Sequence, residues 1–285
     1  MNLNEPIICG VDGSPGSRRA ATTASELAKQ LRASLVLVHV VPPRPPMVLA
    51  AVPVGAQPVA TAQMAELDKA EAEAAFASVA DDTIGMDAEQ VTLHGYTVDR
   101  LSALADARGA RLIVVGTRGR GRARTALLGS TSQELAARAS RPAVVVRELE
   151  SSARYDGLGP GPVVCGIDGS DPSQDALRVA TRLAQDLHAG LTLVSACAAG
   201  TDSTDWLTAV RIPAADDVER LTASGTPAEV LTQAASERKA ALVVVGSRGR
   251  GLMRAAVLGS VSSAAIRLAE CPVVVVPPGA AAASI

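Results

Sequence analysis

Aromatic residues are nearly missing from this chain: one Phe, two Tyr and one Trp in 285 residues. Proteins that hold single-stranded nucleic acid stack its bases on aromatic rings, so this composition argues against that partner. Net charge is small as well, −2 from 27 basic residues against 29 acidic ones. No overall field favours nucleic acid or anionic lipid, and any basic character must be local. No apolar run approaches the roughly 18 residues needed to cross a bilayer. The opening MNLNEP lacks the basic and apolar regions of a signal peptide, and no basic amphipathic helix offers membrane attachment. The expectation is a soluble, cytoplasmic protein with neither membrane nor nucleic acid as partner. Cys9, Cys165, Cys197 and Cys271 lie far apart with no C-x-x-C pair, which reads as buried free thiols. His39, His94 and His188 have no metal-ligand spacing, and no paired carboxylates recur beside the motifs described next.

What the chain does have is repetition. GTRGRGRARTALLGSTS (116–132) returns as GSRGRGLMRAAVLGSVS (246–262), identical at 11 of 17 positions, and PIICGVDGSPGS (6–17) corresponds to PVVCGIDGSDPS (162–173). Two copies of one unit are expected, a first domain at 1–147 and a second at 162–285. They are joined by a Ser-, Gly- and Pro-rich linker, ELESSARYDGLGPG, at 148–161. In the first copy short apolar runs alternate with segments of helical period. The strands are expected at 7–11, 34–41, 90–94, 111–115 and 143–147, and the helices at 17–32, 60–81, 98–108 and 130–139.

Strands such as LIVVG and PVVVV are apolar at nearly every position, the mark of a parallel sheet covered on both faces. Thr226-Pro-Ala-Glu229 reads as a capping box, and Asp171-Pro-Ser-Gln174 repeats its logic. From Asp12 to Gly116 is 104 residues and from Asp168 to Gly246 is 78, a deficit that falls between the second and third strands. The second copy is therefore expected to lack the helix found there in the first. Where the first copy reads VPPRPPMVLAAVPVGAQP, proline excludes regular helix and an extended flap is expected.

A glycine loop between a buried parallel strand and a helix N-terminus presents unpaired amides and the positive end of the helix dipole, so its natural guest is an anion, phosphate above all. Gly116 and Gly119 would let the chain turn sharply and approach a ligand, and Gly129-Ser130-Thr131-Ser132 sets three hydroxyls at the next helix start. A structural cap needs only one of them. A Walker loop is excluded, because Gly121 is followed by Arg122 and Ala123 rather than Lys and Ser/Thr. The dinucleotide fingerprint is disfavoured, because the motif follows the fourth strand and Arg124 takes the place of the third glycine.

The pattern G-x-x-G, nine residues, then G-[ST] after a fourth strand, with V-D-G-S closing the first, resembles the ATP-binding class of the universal stress protein family, here in tandem and over nearly the whole chain except the linker. The resemblance implies an α/β architecture of two tandem doubly wound five-stranded parallel-sheet domains, Rossmann-like, with strand order 3-2-1-4-5. That order makes the crevice between strands one and four the switch point where open sheets bind ligands. Carried over by residue, it implies that Asp12 and Gly13 meet the adenosine and that Val40 or Val41 contacts adenine. Gly116, Gly119, Gly129, Ser130, Thr131 and Ser132 would hold ribose and phosphates. The second set is Asp168, Gly169, Ala196, Gly246, Gly249, Gly259, Ser260 and Ser262, with Val261 in place of the Thr131 hydroxyl.

Arg118 and Arg248 either screen phosphate charge or stay solvated. Asp12 and Asp168 are either turn residues or acceptors for a ribose hydroxyl or a magnesium ion. No residue is singled out as catalytic. The leading reading is an ATP-binding stress regulator without fast turnover, against a slow ATPase or autophosphorylating protein and against a partner-binding scaffold that takes no nucleotide. The last strand of each copy would be an open edge. The resemblance implies that the two copies pair there, with further homodimerisation left open.

Overall fold

The computed structural model describes residues 5–44, 57–117, 129–148, 157–197, 207, 210, 212, 218–249 and 257–280. The first copy contains β1 (Ile7–Gly10), α1 (Pro15–Leu31), β2 (Leu35–Val41), α2 (Gln57–Ala77), β3 (Ala88–His94), α3 (Thr97–Ala107), β4 (Leu112–Gly116), α4 (Ser130–Arg138) and β5 (Ala143–Val146). The second contains β6 (Val163–Gly166), α5 (Asp171–Asp186), β7 (Leu191–Cys197), β8 (Val218–Ser224), α6 (Pro227–Glu237), β9 (Leu242–Gly246), α7 (Ser260–Leu268) and β10 (Val273–Val276). The helix expected to be missing from the second copy and the proline-rich flap of the first fall largely outside the described residues.

Each copy has the strand order 3-2-1-4-5, and the two sheets join into one of ten strands, β3-β2-β1-β4-β5-β10-β9-β6-β7-β8. The join is antiparallel, with Val145 opposite Val273 and Val144 opposite Val274. The exposed last strands expected from sequence thus cover one another. All other pairings are parallel.

Burial on both faces explains the unbroken apolar strands. Ile7, Cys9, Leu112 and Val114 face one helical layer with α1, α2 and α5. Ile8, Ile113, Val145 and Val275 face the other, with α3, α4, α6 and α7. Each layer draws residues from both copies, so the core is continuous across the join. Each fully buried Val or Ile contributes about 1.5–3 kcal/mol relative to exposure. The outermost strands β3 and β8 are half-exposed and accordingly carry Glu, Gln, Thr and Arg between their apolar residues.

Two caps differ from the sequence reading. The N-cap of α5 is Ser170, whose hydroxyl accepts from the Ser173 amide, and Asp171 is already the first helical residue. At α6, Thr226 is the N-cap but its hydroxyl donates to the Glu229 carboxylate at 2.6 Å and makes no bond to a backbone amide. The reciprocal capping box does not form, because the two side chains satisfy each other.

The end of the expected linker is docked. Leu158 is buried in the core and its amide donates to Glu26 Oε2 of α1 at 2.7 Å, while the Gly161 amide donates to the Lys239 carbonyl at 2.9 Å. A β-carbon at Gly161 would stand 2.1 Å from the Arg238 carbonyl oxygen, and one at Gly159 would stand 2.3 Å from that of Ala240. These glycines permit close backbone approach; looseness is not their purpose.

Candidate functional site

The crevice forms where β1 and β4 lie side by side and the chain leaves them in opposite directions, and again at β6 and β9. Asp12 follows β1 and Asp168 follows β6. In both copies the next residue is a glycine with positive φ, +77° at Gly13 and +80° at Gly169. The turn thus requires these glycines on conformational grounds. Asp12 Oδ1 accepts from the Ser14 amide at 3.0 Å and the Ser14 hydroxyl at 2.6 Å. Asp168 Oδ1 accepts from Ser170 at the same distances. Ser14 and Ser170 in turn cap α1 and α5. Asp-Gly-Ser is therefore one unit: a turn that fixes a carboxylate at the strand end and starts the following helix.

Gly116 and Gly246 close β4 and β9. A β-carbon on Gly116 would stand 2.5 Å from the Gly16 carbonyl oxygen, and one on Gly246 would stand 2.6 Å from that of Pro172. The expected reason for these glycines was close approach to a ligand. The approach they allow is that of the first turn of α1 and of α5 to the sheet.

The base of each glycine loop is pinned shut. Gly129 N donates to the Thr117 carbonyl at 2.6 Å, and Gly259 N donates to that of Ser247 at 2.8 Å. Gly129 and Gly259 are the N-caps of α4 and α7. The three hydroxyls expected to face a ligand divide. Ser132 is buried and its Oγ donates to the Gly129 and Thr117 carbonyls. Ser262 does the same toward Gly246 O at 2.7 Å. Their hydroxyls are committed to the fold, whereas Ser130 and Ser260 stand exposed at the first helical position, with Thr131 and Val261 half-buried beside them.

In the second copy these parts enclose a cavity of about 250 Å³. Asp168, Gly246, Arg248, Gly249, Gly259, Ser260, Val261 and Ser262 line one end. Ala196 lines it with Gly166, Val194, Leu231 and Val245 at an apolar end. Gly169 is exposed and is not among the lining residues. A β-carbon on Gly249 would lie 2.8 Å from Asp168 Oδ2, so the turn after β6 and the loop after β9 converge on one point. The titratable side chains among the described lining residues are Asp168 and Arg248.

Sequence reasoning missed Pro227 and Leu231, which cover the cavity from α6. The available signal was the glycine that ends the first strand of each copy: a β-carbon on Gly166 would meet Leu231 Cδ2 at 3.2 Å, as one on Gly10 would meet Leu101 Cδ1 at 3.3 Å.

In the first copy Asp12, Gly13, Gly116, Gly129, Ser130, Thr131 and Ser132 occupy the corresponding places, while Arg118 and Gly119 lie outside the described residues. Val40 and Val41 point to opposite faces of β2. Val40 packs in the layer that holds Leu101 and Val115, the face on which Ala196 lies in the second copy. Val41 instead lines a separate cavity of about 340 Å³ with Arg44, Met64, Asp68 and His94. Buried His39 donates from Nδ1 to the Val11 carbonyl at 2.9 Å, a core role. Among the described residues no group of three or more His, Cys, Asp or Glu could hold a metal ion, and no helix is long and apolar enough to cross a membrane.

Comparison with known proteins agrees with this architecture. The sequence profile described as Universal stress protein family matches residues 4–147 and 201–277. A universal stress protein of Mycolicibacterium smegmatis is 32% identical, over 95% of this chain and 97% of its own. A universal stress protein of Mycobacterium tuberculosis is 31% identical over 96% of each. The crystal structure of a universal stress protein from Archaeoglobus fulgidus superposes with a TM-score of 0.69 at 20% identity, covering 98% of this chain and 100% of that one. The doubled fold, its strand order and the profile matched in both copies lead to one conclusion: the chain belongs to the universal stress protein family.

Proposed function

We propose that the two crevices are ATP sites and that the protein is a nucleotide-responsive stress regulator without fast turnover. The observation that carries this reading is the convergence of Asp168 and Gly249 in a cavity that also opens onto the N-terminus of α7. An anchored carboxylate suits a ribose hydroxyl. The exposed amides and the Ser260 hydroxyl at the helix start suit phosphate oxygens, and the apolar end suits a base. Magnesium, a hard cation with a preference for oxygen, would be held by the phosphate oxygens themselves. Asp12, Ser130 and Thr131 supply the same groups in the first copy.

Slow turnover follows from the shortage of proton-transfer groups. A general base must be placed and free to take a proton, and Asp168 already accepts two hydrogen bonds from Ser170 on one oxygen. The protein as a cytoplasmic pair of fused domains, 1–147 and 162–285, is part of the same reading.

Isothermal titration of the purified full-length chain with ATP and magnesium tests it. Two ATP per chain are expected, together with a raised melting temperature and no steady release of inorganic phosphate. A ligand at a hundredfold excess over its Kd adds about 2.7 kcal/mol of stability. A melting curve unmoved by millimolar ATP would overturn the nucleotide reading and favour a scaffold; steady phosphate release would favour an enzyme.

A further inference from the structure

The two crevices differ at their apolar ends. Strand register fixes the equivalence: Gly10 lies opposite Val38 across β1 and β2, and Gly166 lies opposite Val194 across β6 and β7. Two residues further along the second strand are Val40 and Ala196, which therefore occupy the same place. Both pack in the layer that includes Leu101 and Val115 in one copy and Leu231 and Val245 in the other. These leucines and valines are conserved in kind between the copies, so the floor and roof of the apolar end are alike. The side wall is not: Ala196 lacks two methyl groups that Val40 carries. Ile167, which also lines the cavity, is one methylene larger than its counterpart Val11 and returns part of that space, so the second crevice is the roomier by a net one carbon.

We infer that Ala196 makes the second crevice a site for adenine nucleotides with an enlarged base, and that Val40 excludes such nucleotides from the first. The inference rests on the nucleotide reading above and adds to it that the duplicated sites differ in specificity. The described side chains at the apolar end, including Val194, Ala196, Leu231 and Val245, carry no hydrogen-bonding group. Fit at that end is consequently decided by volume. In an apolar pocket one methylene changes relative affinity by roughly tenfold or more, so a net difference of one carbon is enough to separate the sites.

The test uses the full-length chain, ATP with magnesium, and two enlarged analogues, N6-benzyl-ATP and 2-methylthio-ATP, which extend different edges of the ring. Titration calorimetry of the unchanged protein, Ala196→Val and Val40→Ala gives stoichiometry and the ratio of analogue to ATP affinity. The unchanged protein should take two ATP but one equivalent of at least one analogue. Ala196→Val should lower the analogue-to-ATP ratio at that site by about tenfold or more, and Val40→Ala should create a second analogue site. If ATP binds twice and each analogue binds twice or not at all, or if Ala196→Val leaves the ratio unchanged, the asymmetry is overturned while the nucleotide reading stands. If no variant binds ATP, both fall together.

Discussion

Asp168 Oδ2 lies 2.8 Å from the position a β-carbon would take on Gly249. The carboxylate is held from its other oxygen by Ser170, so it has little freedom to withdraw. Gly249→Ala should push it from its place in the second crevice and lower ATP affinity there by about tenfold or more, the loss of one charge-assisted hydrogen bond. Because Asp168 is tied to Ser170, the cap of α5, its displacement should also lower the melting temperature without ligand by a small amount. Calorimetric stoichiometry should fall from two tight sites to one tight and one weak.

Arg111 and Asp186 form an ion pair between the copies, with Arg182 as a second partner of the carboxylate. Burial opposes ionisation of Asp186, but the bonds from Arg111 and then Arg182 outweigh it and hold the carboxyl below its ordinary range. A depressed carboxyl stabilises the fold above its unfolded pKa, and that contribution is lost as pH falls through the folded value. Arg111→Ala should cost about 1–2 kcal/mol at neutral pH, between the values for exposed and buried pairs. It should also flatten the loss of stability between about pH 5 and pH 2. Urea unfolding at a series of pH values measures both.

Gly161→Ala should destabilise the protein by about 1–3 kcal/mol, as overpacking does, because the added carbon meets the Arg238 and Lys239 carbonyl oxygens of a fixed backbone. Lys239 itself sits at φ +53°, where the first copy has Gly109 at φ +59°. Lys239→Gly should relieve left-handed strain and stabilise by up to about 1 kcal/mol. Denaturant midpoints of the two variants should move in opposite directions.

Cys9 and Cys165 are wholly buried, and burial pushes both thiols far up. Burial likewise raises Cys271 to about 12. Cys197 is half-buried, beside the Ser224 hydroxyl at 3.6 Å. Maleimide labelling of the native protein near neutral pH should therefore modify Cys197 first, the partly exposed Cys271 more slowly, and Cys9 and Cys165 only after denaturant is added. Peptide mass mapping assigns the order.

The sheet was legible because its strands report burial directly: Ile7–Gly10 and Leu242–Gly246 are apolar on both faces, and only a covered parallel sheet explains that. The doubled motifs pointed to the second-copy cavity on which Asp168 and Gly249 converge, whereas Gly119, the first copy's counterpart of Gly249, lies outside the described residues. What sequence left hidden depends on contacts through space. Gly116 and Gly161 read as turn or linker residues, yet each is required where another segment's backbone passes over it. Ser132 and Ser130 are equally polar in the sequence, and only the closed loop base separates the buried hydroxyl from the exposed one. Asp171 and Ser170 are both good caps, and the choice fell to Ser170 because Asp168 already claims its hydroxyl proton, leaving its lone pair for the Ser173 amide.

The antiparallel join of β5 to β10 lies within a single polypeptide. Two separate subunits would part on dilution and exchange partners with their neighbours. Here the two crevices stay together in a one-to-one ratio at any concentration, and, because the strands on either side run in opposite directions, they lie at opposite rims of the sheet. A molecule that docks at one crevice therefore meets one rim of the sheet and a molecule that docks at the other meets the opposite rim, in a pair whose proportion the single chain fixes.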